Sequence, residues 1–128
     1  MDIFFLLLFG HALGDFGLQS EHLIKNKNRK NNKDSWYLFL GAHAVIHGGF
    51  VGFFTGSFVL AIAETICHAV IDYGKMEGRY SLKVDQALHV VCKALWILMM
   101  VKGIAYNSHK LCIVFSYFSS LHPALLRQ

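Results

Sequence analysis

Four long apolar segments, residues 2–19, 36–54, 57–73 and 86–106, alternate with short polar stretches, and a weaker apolar segment follows at 111–126. None of the four carries the stripe of charge that a water-facing amphipathic helix shows every three to four residues. A hydrocarbon core about 30 Å thick is crossed by roughly 20 helical residues, or about 17 at the short end, which these segments match. Only the tight hairpin Phe54-Thr55-Gly56-Ser57 separates the second from the third. The pattern predicts an all-α polytopic membrane helix bundle of four to five transmembrane helices, forming one membrane-embedded domain over residues 1–128. Gly10, Gly14, Gly17, Gly41, Gly48, Gly49 and Gly52 fall in the first two segments. Glycine is costly in an exposed helix but common where membrane helices approach closely.

Composition agrees with the pattern. Of 128 residues, 55% are hydrophobic and 16% charged, with a single proline; soluble domains carry about 25% charged residues. A disordered chain and a string of small domains are both excluded. Twelve of the twenty charged residues lie in two windows, 20–35 and 74–86, and each window is net positive. Alternating helices put both loops on one side. The positive-inside rule then makes them cytoplasmic, with the N-terminus outside, in a cell's inner (cytoplasmic) membrane. The first segment has no basic residue ahead of its apolar run, so it reads as a retained helix rather than a cleaved signal peptide. The basic run Lys25–Lys33 has no interleaved aromatics. It reads as a topology determinant touching lipid headgroups, with the lipid bilayer as partner and no nucleic acid expected. Trp36 and Tyr37 follow it at the expected interface.

Polar residues interrupt the apolar segments in a regular way. His11 and Asp15, His43 and His47, Glu64 and His68, His68 and Asp72, and Asp85 and His89 are all spaced i,i+4, which puts each pair on one helix face. Chance placement gives about two such pairs among this many His, Asp and Glu residues. Ionisable groups at bilayer depth are costly and normally face a bundle interior or a cavity. With the basic loops on one side, the pairs His11–Asp15, His43–His47, His68–Asp72 and Asp85–His89 fall in the half of the bundle next to those loops. His11, Asp15, His43, His47, His68, Asp72, Asp85 and His89 are therefore candidate metal ligands around one shared site. Eight ligands exceed the needs of one ion and fit two, with zinc, manganese or iron suiting imidazole and carboxylate. The same residues suit a hydrogen-bonded network that glues helices, or a proton or ion pathway.

Glu64, a turn deeper than His68, reads as a partner behind a ligand or a plain interhelical hydrogen bond or, as the catalytic alternative, a general base. Lys93 continues the Asp85–His89 face. It could clamp an anionic oxygen of a substrate or pair with a bundle carboxylate. Lys75 could reach headgroups. Cys67, Cys92 and Cys112 lack metal-motif spacing and read as small apolar residues. His22, His109 and His122 fall outside the expected site.

The run His11-Ala12-Leu13-Gly14-Asp15-Phe16-Gly17-Leu18-Gln19, followed by His43, His47, His68-x-x-x-Asp72 and Asp85-Gln86-x-x-His89, resembles a family of small multi-pass prokaryotic and phage membrane proteins of unknown function. Gly17 stands where that family's pattern has proline. More loosely, the chain is similar to bacterial inner-membrane metal-dependent hydrolases, which implies hydrolytic chemistry. The leading expectation is a membrane-embedded metal-dependent hydrolase acting on a phosphoester, with a dinuclear His/Asp site facing the cytoplasm. The alternatives are a divalent-metal or proton transporter using the same ligands, and a small, phage-encoded accessory protein with a structural polar cluster.

Overall fold

The computed structural model describes residues 2–103, and all regular structure there is helical. Helix α1 (Ile3–Ala12) runs into a π-helical turn, Leu13–Gly17; α2 (Glu21–Asn26) is short; α3 (Trp36–Thr55), α4 (Phe58–Met76) and α5 (Leu82–Val101) are long. The segment expected at 111–126 lies outside the described residues, as do Cys112, His109 and His122. Three boundaries differ from expectation. The first helix changes pitch after Ala12, the loop at 20–35 contains α2, and α5 begins four residues early because Ser81 caps it, its side chain accepting from Val84 N–H at 3.4 Å. Asp2, Ser20 and Ser57 cap α1, α2 and α4 in the same way, each satisfying a donor that the first turn leaves free.

The four longer helices pack as a square. α1 touches α3 and α5, and α4 touches the same two, while the diagonals stay apart. Hairpin connections make α3, α4 and α5 successively antiparallel, so the 18–35 and 77–81 connections meet at one end. There the Arg29 guanidinium lies 3.5 Å from the Glu77 carboxylate. The expected placement of both polar loops on one side is thus realised in the fold. α3 and α4 make the closest approach: a Cβ on Gly48 would collide with the Thr65 hydroxyl and the Ala61 carbonyl. Gly41 and Gly49 face open space, so close packing does not explain those two.

The described residues are distributed inside out. Buried polar side chains number eleven, against six buried apolar ones. Large apolar side chains cover the outside of every long helix: Phe5 and Phe9 on α1, Val45 and Phe53 on α3, Ile66 and Val70 on α4, Val91 and Leu95 on α5. A water-soluble bundle has the reverse arrangement. Two of the described helices, α3 and α5, are long and apolar enough to cross a membrane. α4 is nearly as long but carries Glu64, Asp72 and Lys75, and the α1 segment is shorter.

The buried apolar residues Leu7, Val51, Leu60 and Trp96 cluster toward the α3–α4 hairpin end, with Phe54, Cys67 and Cys92 packed against them. Both cysteines are free and half-buried, as small packing residues. The buried histidines and aspartates fill the other end.

Candidate metal centre

All eight expected ligands converge inside the bundle. Three overlapping sets have donor atoms within 4.8 Å of one another: Asp15, His43, His47 and His68; His11, His68 and His89; and Asp72, Asp85 and His89. The first and last share no residue, which leaves room for two ions. The His68 ring bridges them, stacked on His47 and on His89 with centroids 3.6 and 4.1 Å away.

The first set has the spacing a cation needs. Asp15 Oδ1 lies 3.2 Å from His43 Nε2, 3.1 Å from His47 Nε2 and 3.7 Å from His68 Nε2, and the last is 3.2 Å from His43 Nε2. A tetrahedral ion with ligands at about 2.0–2.1 Å has ligand–ligand edges of about 3.3 Å. Asp15 Oδ1 and His47 Nε2 are both buried without a hydrogen-bond partner, although they face each other. Buried polar atoms are rarely left so, because the lost hydration is not replaced. Asp85 Oδ1 and His89 Nε2, 3.8 Å apart in the other set, are also unpartnered. His89 Nε2 lies 3.5 Å from Asp72 Oδ1. The donor set therefore fits a divalent ion of the zinc, manganese or iron type.

Local structure explains the convergence. The π-helical turn carries Asp15 and sets it against α3 and α4, and such turns recur at functional sites. Gly14 in the same turn lies against the His47 ring, where a Cβ would approach to 2.5 Å. His43 and His47 share the inner face of α3, His68 and Asp72 that of α4, and Asp85 and His89 that of α5.

Residues around these sets hold them in place. Gln86 Nε2 donates to Asp15 Oδ2 at 2.8 Å and Asp85 Oδ2 at 3.2 Å, while its Oε1 is placed to accept from His11 Nε2 at 3.1 Å. One amide thus links both ligand sets. Gln19 Nε2 reaches His43 Nε2 at 2.9 Å. Glu64 Oε1 lies 3.5 Å behind His68 Nδ1, and the same carboxylate accepts from Lys93 Nζ at 2.6 Å and Trp96 Nε1 at 2.5 Å. Of the two readings of Lys93, the geometry realises the pair with a bundle carboxylate.

Lys27 is the residue that sequence reasoning missed. It sits in the basic loop but is buried, and its Nζ donates to Asp72 Oδ2 at 2.5 Å. Nothing in the local sequence separates it from its basic neighbours. Lys75, expected to reach headgroups, donates to Asp85 Oδ2 at 3.2 Å. Gln86 carried a weak signal, one residue after a candidate ligand. His22 is exposed beside Asn26, away from the cluster, as expected.

No curated protein and no solved structure matches the chain. The expected membership of a family of uncharacterised function is met by a match over residues 3–121: the chain belongs to the family described as protein of unknown function (DUF3307).

Proposed function

We propose that the protein is a multi-pass membrane protein whose polar interior is a two-ion hydrolytic site opening toward the 18–35 and 77–81 connections. The observation that carries this reading is the convergence of eight ligand groups, several unpartnered, inside a bundle with an apolar exterior. The apolar face continues over α1 and α4, whose ionisable side chains turn inward, which supports spanning by the α1 segment together with the three long helices. The net-positive loops favour a cytoplasmic opening in a bacterial-type inner membrane.

Two bound ions would polarise a water and a phosphoester oxygen between them. The chain's own residues do the positioning. Gln86 sets the distance between the Asp15 and Asp85 carboxylates. Glu64 stands 3.5 Å behind the far ring nitrogen of His68, where a carboxylate orients a ligating imidazole. Leu7, Val51, Leu60 and Trp96 close the hairpin end of the interior. A blind polar pocket suits hydrolysis, whereas a transporter needs a route to both faces.

Elemental analysis of protein purified in detergent tests the site. About two transition-metal ions per chain are expected, and about one fewer in the His43→Ala/His68→Ala variant, which leaves Asp72, Asp85 and His89 in place. A folded, metal-free wild type that stays metal-free on incubation with zinc, manganese or iron overturns the reading. Release of phosphate from a soluble phosphomonoester by the loaded protein, lost in Asp72→Asn, tests the chemistry. Metal uptake into proteoliposomes in place of turnover would favour the transporter.

A further inference from the structure

A cavity of about 250 Å³ opens beside the second ligand set, with Asp72, Gln19, Lys27, Asn28 and Lys75 among its walls. We infer that Lys27 and Lys75 form the anion-recognition end of the site, taking a phosphoryl group once a cation holds Asp72 and Asp85. This deepens the two-ion reading and rests on it.

The argument is one of charge. In the present arrangement each ammonium neutralises one carboxylate: Lys27 that of Asp72, Lys75 that of Asp85. A divalent ion held by Asp72, Asp85 and His89 would balance the same two carboxylates. Both ammonium groups would then face the cavity with uncompensated charge, that of Lys27 in buried surroundings where water screens little. A buried cation without a partner is costly. An anionic oxygen ligand restores the balance. Two ammonium groups with the Asn28 and Gln19 amides beside them suit the several acceptor oxygens of a phosphate.

The remaining walls indicate what the phosphoryl group is attached to. Ile24 and Met76 line the cavity too, offering apolar contact to the carbon side of an ester. The volume equals on the order of eight waters at ~30 Å³ each, enough for a phosphate and the start of a substituent. Two sources share this chemistry: a soluble phosphate or phosphomonoester, and the phosphate of a lipid headgroup at the level of the loops.

Cation and anion should therefore bind cooperatively, each strengthening the other by the same factor. The test measures Mn²⁺ affinity of the full chain, in detergent with and without inorganic phosphate, and in phosphatidylcholine nanodiscs with and without phosphatidic acid. A rise of about tenfold is expected in at least one arm. Inorganic phosphate alone sufficing assigns a soluble ligand; a response to phosphatidic acid only assigns the headgroup. Lys75→Gln, a change at a half-exposed side chain, should abolish the rise while leaving Mn²⁺ stoichiometry intact, and Lys27→Gln should do the same. No rise in either arm, or a rise that survives in Lys75→Gln, overturns the inference and leaves the metal site standing. Failure of the wild type to bind Mn²⁺, zinc or iron overturns the site itself.

Discussion

The bundle interior has two halves built on opposite principles, and Glu64 is where they meet. Toward the α3–α4 hairpin, Leu7, Val51, Leu60 and Trp96 pack as in any apolar core. Toward the loops, histidines, aspartates and lysines fill the same cross-section at ion-pair distances. One Glu64 oxygen takes the Trp96 indole from the apolar half, and the other takes Lys93 and faces His68. The difference teaches what each half is for. Apolar packing gains from shape alone, and the hairpin half has no use for charge. The loop half retains buried charges whose desolvation is costly, and several of its polar atoms make no hydrogen bond. Stability alone does not account for it.

The largest expected effect comes from breaking the junction. Glu64→Leu leaves the Lys93 ammonium buried without a counter-charge, and thermal unfolding in detergent should show a loss of about 3–5 kcal/mol. Glu64→Leu/Lys93→Leu should recover most of it, since both charges are then gone. A double variant as unstable as the single would show that the pair is not what the junction depends on.

Next comes the apolar half. Leu60→Ala should destabilise by about 2–4 kcal/mol through the cavity it leaves, yet the metal stoichiometry should not change. Loss of metal in that variant would mean that the two halves form one unit. The smallest effect is expected outside the bundle. Phe53, 83% exposed, points away from both halves, and Phe53→Ala should shift stability by no more than about 0.5 kcal/mol. A loss matching Leu60→Ala would place that face in a contact the single chain does not reveal.

Much of the site was legible because its signals are local. An i,i+4 pair of ligand-type residues in an apolar helix states its own face, and each of the five pairs points inward as expected. The roles of neighbouring residues were less legible. Lys27 and Asp72 are 45 residues apart, and Gln86 and Asp15 are 71 apart. No periodicity connects such positions, and a lysine in a basic loop looks like every other.

The sequence by itself determined the four main helical segments, their apolar outward faces and the polar residues on their inward ones. It also set both basic loops at one end, since successive helices joined by short connections must reverse direction. Only the tertiary structure decided which side chains meet. It turned Lys27 inward onto Asp72, gave Lys93 to Glu64, and used the π-helical turn to bring Asp15 among three histidines. Helix formation depends on neighbours within a turn, whereas a site at the centre of four helices depends on how their faces are rotated together. That rotation is set by packing, at places such as Gly14 against His47 and Gly48 against Thr65.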